Sequence, residues 1–348
     1  MALTAAVAMS GGVDSSAAAW LLQQQGYNLI GVTLEMFHRE EPSSDIADAK
    51  AVAAQLGFEH HAFDFSGCFC REVMDPFVAA YEQGLTPNPC VECNRTIKFG
   101  ALLDKALELG ADKLATGHYA RVEQDPSGRY LLRKALHPEK DQSYVLYSLS
   151  QHQLGHTLLP LGTLSKEEIR DIAARQNLIS AHKSDSQDIC FVPDGDYAAF
   201  IHRHGGKEYP TGEFRSPDGR VLGTHQGIVH YTMGQRRGLG VSSNQGRLYV
   251  TEVHPEDNTV ILSDNDSLFS RTFTARRLNF IPFDRPDGPM RLKAKVRYRM
   301  VEKPCTLEMT GEDEVRITFD QPQRAITPGQ SVVLYDGEYV VGGGIIAR

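Results

Sequence analysis

The sequence feature that most constrains the fold lies at the start of the chain. The apolar run Thr4–Met9 breaks into Ser10-Gly11-Gly12-Val13-Asp14-Ser15-Ser16, and a helical pattern follows over Ser15–Gln25, closed by Gly26. Strand, tight glycine turn and helix in that order make the opening half of a β-α-β crossover. Glycines let the backbone approach a ligand closely, the helix start offers unpaired N–H donors, and serine hydroxyls add more, so the turn is a cradle for phosphate. It lacks the lysine of the G-x-x-x-x-G-K-[ST] loop, which separates it from enzymes that transfer a γ-phosphate on that loop. Asp14 sets a carboxylate beside the phosphates, where Mg²⁺ would bridge the two.

The alternation continues downstream. Asn28–Met36 and Glu59–Phe65 read as strands flanking a helix at Asp45–Leu56, which Gly57 ends. Helices are expected at Cys70–Gln83 and Ile97–Leu109 around a proline-rich loop, and Lys113–Gly117 reads as a buried strand leading into His118 and Tyr119. This is the pattern of an α/β fold with a parallel sheet, whose ligand chemistry sits at the carboxyl ends of the strands. From about Lys207 the texture changes to short runs such as Gly227–Tyr231, Leu248–His254 and Thr259–Leu262, punctuated by Gly, Pro and Asp, and this half reads as all-β. The expected division is a catalytic domain over 1–204, a small β-rich domain over 205–268, and a C-terminal β-barrel or sandwich over 269–348, with Ser263–Ser267 at the second junction.

At 348 residues the chain is long for one core, consistent with that division. It contains no apolar run long enough to span a membrane, and its first residues lack the basic flank of an export signal, so a cytoplasmic location without membrane contact is expected. A net charge of −8 argues against a generic nucleic-acid binder. Any RNA surface must be local, and Arg291, Lys293, Lys295, Arg297 and Arg299 supply it, with cations at every second residue of a strand and apolar side chains between. Arg276, Arg277, Arg236 and Arg237 lie in the same half. The competing reading of that strand is a solvated edge protected by its charges.

Six cysteines in a reducing compartment point to reactive or metal-binding thiols rather than structural disulfides. Thr86–Asn94 is a proline-set loop carrying Cys90-x-x-Cys93, and Asp185–Phe191 carries Cys190. Two plainer readings compete: small buried apolar side chains, and a zinc site built from Cys68, Cys70, Cys90 and Cys93. Cys305, Cys68 and Cys70 read as core.

The motifs SGGVDSS (10–16), TPNPCVECN (86–94), ATGHYAR (115–121), KDQSYVLY (140–147), DSQDICF (185–191), HQGIVHYTMGQRRGLG (225–240) and TPGQSVVLYDGEYVVGGGII (327–346) follow one another along nearly the whole chain. The first resembles the loop of the ATP-pyrophosphatase enzymes, and together they resemble the tRNA-specific 2-thiouridylase family. The resemblance implies a Rossmann-like ATP-pyrophosphatase domain followed by two β-rich, tRNA-contacting domains. It implies a reaction in which ATP adenylates the C2 oxygen of the wobble uridine in tRNAs for Lys, Glu and Gln. Sulfur then comes from a persulfide on Cys190, charged by a donor such as a cysteine desulfurase or a sulfur-relay protein. Cys93 acts as nucleophile, and a transient Cys93–Cys190 disulfide follows. Both thiols would need a lowered pKa, with Lys98 a candidate neighbour.

By the same resemblance ATP contacts Ala8, Met9, Ser10, Gly11, Gly12, Val13, Asp14 and Ser15, with Leu34 and Gly117. The tRNA contacts Asn88, Pro89, Cys90, His118, Lys140, Asp141, Gln142, Arg297, Tyr298 and Gln330. Many members carry Asp where this chain has Cys90. Either Cys90 handles the proton there, or Cys90, Cys93 and Cys190 hold a [4Fe–4S] cluster. Two other readings stay open: an adenylating amide-forming synthetase on the same loop, and a nucleotide-binding redox sensor without turnover.

Overall fold

A computed structural model of the chain describes residues 2–37, 44–181, 189–242 and 246–348. The Asp185–Asp188 part of the second cysteine motif lies outside the described residues.

The first strand, β1 (Thr4–Ala8), leads through the glycine turn into helix α1 (Val13–Gln24). Next come β2 (Asn28–Glu35), helix α2 (Asp45–Leu56) and β3 (Glu59–Asp64). Downstream lie β4 (Lys113–Ala115), a hairpin of β5 (Ala120–Gln124) and β6 (Tyr130–Lys134), and the short β7 (Thr157–Leu158). The parallel sheet has the order β3-β2-β1-β4-β7. Side chains alternate across it: Ala5 and Val7 pack with Leu22 and Val52, whereas Ala6 packs with Val32, Leu102 and Leu114 on the other face. From β1 the chain builds outward on one side, then returns to add β4 and β7 on the other. The order therefore reverses between β1 and β4, which opens a crevice at their carboxyl ends.

The middle sheet comprises β8 (Gly212–Arg215), β9 (Val221–His225), β10 (Tyr249–His254) and β11 (Thr259–Ser263), ordered β10-β11-β8-β9. The last six strands are β12 (Phe269–Phe280), β13 (Met290–Lys295), β14 (Lys303–Met309), β15 (Glu314–Arg324), β16 (Ser331–Asp336) and β17 (Tyr339–Ile346). They run β12-β15-β14-β13-β16-β17, and pairing of β12 with β17 closes them into an antiparallel barrel. Its interior holds Leu307, Ile317, Phe319, Leu334 and Cys305, so the core reading of Cys305 holds.

Two sequence expectations need correction. The hairpin β5–β6 was not anticipated, although Asp125-Pro-Ser-Gly128 between two alternating runs is its turn signal. It leaves the α/β domain and joins the barrel sheet through Tyr339 beside Arg133. The expected strand over 291–299 stops at Lys295, but its alternation of exposed Arg291 and Lys293 with buried Leu292 and Ala294 is as read. Arg291 pairs with Asp320 at 2.8 Å, so part of its charge is spent within the barrel.

The KDQSYVLY segment fastens the barrel to the α/β domain. Tyr144 donates to the Ser331 carbonyl at 2.7 Å, and Asn279 donates to the carbonyls of Tyr147 (2.6 Å) and Leu149 (3.1 Å). At Gly343 a Cβ would collide with the Val332 carbonyl and the Tyr147 ring, so the glycine run of β17 is what lets Tyr147 dock. Because Phe319 is fully buried in the barrel interior, Phe319→Ala should cost about 3–5 kcal/mol. The check is urea unfolding followed by tyrosine signals; a loss below about 1 kcal/mol would contradict a packed, closed barrel.

Candidate active site between the parallel sheet and the barrel

The glycine turn occupies the crevice at the strand switch. Ala8 ends β1, Met9 is buried with its carbonyl accepting from Thr33 Oγ1 at 2.7 Å, and Ser10 is exposed. Gly11 has φ +69°, a left-handed conformation, and a Cβ there would lie 2.6 Å from the Asp45 carbonyl oxygen. Gly12 caps α1 without any side-chain hydrogen bond, which leaves first-turn N–H groups for a ligand. Ser15 and Ser16 turn their hydroxyls back to the Gly12 carbonyl at 3.1 and 2.9 Å and so brace the turn. Gly117, just past β4, abuts this turn: a Cβ on it would be 3.0 Å from Asp14 Cβ and Ser15 N. Leu34 sits near the end of β2, the strand beside β1.

Two residues that the sequence did not single out complete the turn. Asp14 Oδ1 accepts from Tyr119 Oη and from Lys166 Nζ, both at 2.7 Å, and the Lys166 side chain is only 9% exposed. Burying an ammonium is tolerated here because it is paired. Lys166 stands in the helix Lys166–Arg175, which starts with a Ser165/Glu168 capping box. That Lys166 turns inward was not legible.

The cysteines are positioned by helix geometry and by an aromatic cluster. The proline-set loop is itself helical: Pro89 takes the first position of the turn Pro89–Glu92, where its missing N–H costs nothing, and the helix runs on through Cys93–Ala101. Cys90 therefore sits in a first helical turn rather than in a loop. The segment Cys93–Ala101 is wound as a π-helix, and its i→i+5 repeat brings Lys98 one turn along from Cys93. On the other side Phe191 packs edge-on against Phe69 (5.7 Å) and Phe77 (5.3 Å) and tilts against Phe200 (4.9 Å), in the cluster that also holds Cys93 and Ile97. Anchoring Phe191 carries Cys190 to the first cysteine pair. All six cysteines are free thiols, with Cys93 buried and Cys90 and Cys190 solvent-facing.

The thiol pKa values lie above the ordinary value rather than below it. Burial pushes Cys93 up to about 12, and the opposing pull of Lys98 is smaller; Cys190 and Cys90 add to the rise. Surrounding protein raises Cys90 and Cys190 too, although both reach solvent, and Lys98 again opposes it. The same lysine acts on His118, whose imidazole burial holds well below its ordinary pKa and hence neutral. His118 shares a 2.7 Å hydrogen bond with Thr116 Oγ1 and lies 5.8 Å from the Phe99 ring. The charge of Lys98 thus acts on three thiols and on the histidine that follows Gly117.

The residues expected to contact RNA fall into two groups. Asn88, Pro89 and Cys90 face the barrel turn that carries Arg297 and Tyr298. Tyr298 is 40% exposed and packs edge-on against Tyr144 at 5.8 Å. Arg297 is half-buried and donates to the Ala325 carbonyl at 2.8 Å. Asp141 is buried, its carboxylate accepts from Ala135 N, Ser143 N and Ser143 Oγ, and Lys295 lies 3.7 Å away, so its side chain braces a turn. Gln142 braces the site from within by accepting from Tyr119 N at 2.9 Å. Gln330 donates to the Thr86 and Pro87 carbonyls at 2.8 and 3.2 Å and ties the barrel to the cysteine segment. Lys140 ends the turn Pro138–Lys140. The four-cysteine zinc set does not converge; Cys70 instead meets Asp75 and His204.

Residues 3–194 match the model of the tRNA methyl transferase HUP domain, 198–264 that of the tRNA methyl transferase PRC-barrel domain, and 270–346 that of the aminomethyltransferase β-barrel domain. The tRNA-specific 2-thiouridylase MnmA of Clostridioides difficile (strain 630) is 46% identical over 352 residues, covering 98% of this chain and 97% of the relative. The chain belongs to the tRNA-specific 2-thiouridylase family. A second relative of that name, MnmA 2 of Thermoanaerobacter sp. (strain X514), is 48% identical over 355 residues, with 99% of this chain and 97% of the relative covered.

For a member of this family the electrostatics of the thiols have a direct consequence. With thiol pKa values raised, reactivity must climb with pH, about tenfold per unit while the thiol form dominates. Iodoacetamide modification of Cys190, followed by peptide mass spectrometry, should rise without a plateau between about pH 7 and 9. Lys98→Met should slow it at every pH. A plateau near neutral pH, or an unchanged rate in the variant, would contradict the arrangement.

Proposed function

We propose that this enzyme is a tRNA-uridine 2-sulfurtransferase that consumes ATP and works on the wobble uridine of tRNAs for Lys, Glu and Gln. The observation that carries the reading is the reach of the Lys98 charge. It spans Cys90, Cys93, Cys190 and His118, and His118 follows the glycine that packs on Asp14 and Ser15. Phosphate cradle and thiols thereby serve one crevice.

ATP lies in the glycine turn, with Ala8 through Ser15, Leu34 and Gly117 around it. First-turn N–H groups of α1 hold the leaving pyrophosphate. Asp14 would hold Mg²⁺, which would neutralise phosphate charge there, while its Oδ1 stays with Tyr119 and Lys166. The uridine O2 attacks the α-phosphorus, pyrophosphate departs, and the C2–O bond becomes a good leaving group as AMP. A wobble base is already single-stranded, so extruding it between Asn88–Cys90 and Tyr298 costs little.

The terminal sulfur of a Cys190 persulfide then adds to C2, and AMP leaves with the oxygen. The Cys93 thiolate attacks Cys190 Sγ, breaks the S–S bond, and releases 2-thiouridine, and a Cys93–Cys190 disulfide remains for an external thiol to reduce. Lys98 stabilises both thiolates against the surrounding apolar cluster. A cysteine desulfurase or sulfur-relay protein charges Cys190, which is solvent-facing. Residues 1–204 form the catalytic domain, and 205–268 with 269–348 hold the tRNA, through Arg297, Tyr298 and the exposed face of β13.

One observation favours a second route to the same product. Cys90 and Cys190 both act on Cys93, and three thiols so placed also fit as ligands of a [4Fe–4S] cluster, which would supply an open iron for sulfide. Anaerobic purification with iron and sulfide analysis separates the two: the persulfide route expects full thiolation without iron.

Cys93→Ala and Cys190→Ala should each abolish thiolation while leaving tRNA affinity within about twofold, since neither meets a phosphate. Wild-type turnover by either variant would reject the assigned roles. Asp14→Asn should remove tRNA-dependent release of pyrophosphate, and its survival would detach Asp14 from the ATP step.

A further inference from the structure

Away from the crevice, three metal-ligating side chains of different chemistry converge. Cys70 Sγ lies 3.5 Å from Asp75 Oδ1 and 3.9 Å from His204 Nε2, and His204 Nε2 lies 2.7 Å from the same Asp75 oxygen. Among the described residues this is the one group of three such donors within 4.8 Å of one another. We propose that Cys70, Asp75 and His204 form a site for a thiophilic divalent cation of the zinc class, bound by sulfur, carboxylate oxygen and imidazole nitrogen.

Donor geometry supports it. Metal–ligand bonds of about 2.0–2.3 Å in a tetrahedron separate nitrogen, oxygen and sulfur donors by roughly 3.3–3.6 Å. The two sulfur distances are already near that range, and the nitrogen–oxygen pair opens by roughly half an ångström to admit an ion. Thiolate with imidazole and carboxylate selects zinc-like ions over Mg²⁺ or Ca²⁺, which prefer oxygen alone. Three protein ligands leave the fourth position to water, the arrangement of open rather than closed sites.

The supporting residues hold the donors in place. Cys70 and Asp75 fall one turn apart in a continuous helical stretch, Cys70–Met74 leading into Asp75–Glu82, and the π-type winding of the first part sets them on one side. His204 closes the helix Tyr197–Gly205, and its ring stacks on Phe200 at 5.2 Å with an interplanar angle of 15°. Packing of this kind fixes the orientation of a ligating imidazole. Phe200 in turn packs against Phe191, the neighbour of Cys190. A bound ion would therefore clamp the helix that follows the Cys190 segment onto the helix that precedes the Cys90 segment, outside the set of reactive thiols but mechanically continuous with it.

The test is titration of the full, reduced chain with Co²⁺ under anaerobic conditions. Wild type should show tetrahedral d–d bands with a thiolate-to-cobalt charge-transfer band, both displaced by Zn²⁺. Cys93→Ala and Cys190→Ala should keep them. His204→Ala should lose them, and Cys70→Ser should lose the charge-transfer band. Should His204→Ala misfold by circular dichroism, the surface change Asp75→Asn replaces it, with the same loss expected. Zn²⁺ should also raise the melting temperature of wild type and not of the Asp75→Asn variant. A wild type without the charge-transfer band, a band that survives His204→Ala or Asp75→Asn, or one that vanishes in Cys93→Ala overturns the assignment.

Discussion

The packing of Phe191 against Phe69, Phe77 and Phe200 is the contact on which the rest of the site depends. Cys93 and Cys190 are separated by nearly a hundred residues, and no backbone hydrogen bond joins their segments among the described residues. Aromatic burial is non-directional and strong, each ring removing on the order of 150–250 Å² from water. It can hold a short segment against a helix without requiring that segment to be regular. The same cluster that brings the thiols together also desolvates them, and this is why their thiols are pushed up rather than down.

Lys98 follows from that conflict. A thiolate in an apolar pocket is costly, and one ammonium among three sulfurs offsets part of the cost without committing to any of them. The π-winding of Cys93–Ala101 is what turns the lysine toward the thiols; an ordinary α-helix would carry position i+5 well off the face of Cys93. Asp14 shows the opposite arrangement. Its carboxylate is held by Tyr119 and Lys166, so the phosphate turn is assembled before a ligand arrives.

The barrel is not an appendage. Gln330 reaches the Thr86 and Pro87 carbonyls, Tyr144 reaches Ser331, and the β5–β6 hairpin extends the barrel sheet from within the α/β domain. These bonds fix the turn bearing Arg297 and Tyr298 over the first cysteine segment. Much of the KDQSYVLY and TPGQ motifs is thereby architecture. Asp141, in the first of these motifs, has its carboxylate occupied by Ala135 N, Ser143 N and Ser143 Oγ, since a short carboxylate satisfies local N–H groups readily.

Much of this protein was legible in one dimension. The strand–glycine–helix signal at 4–25, the change to short β runs after Lys207, and the alternation at 291–297 rest on local chemistry: φ-permissive glycines, periodic burial and strand spacing. Tertiary structure alone decided that Lys166 and Tyr119 meet Asp14, that Cys90 opens a helix, that Lys98 serves three thiols, and that His204 faces Cys70. Each of these depends on which face of an element meets which distant partner. Sequence spacing carries that information only within a few residues, and packing settles it over a hundred or more.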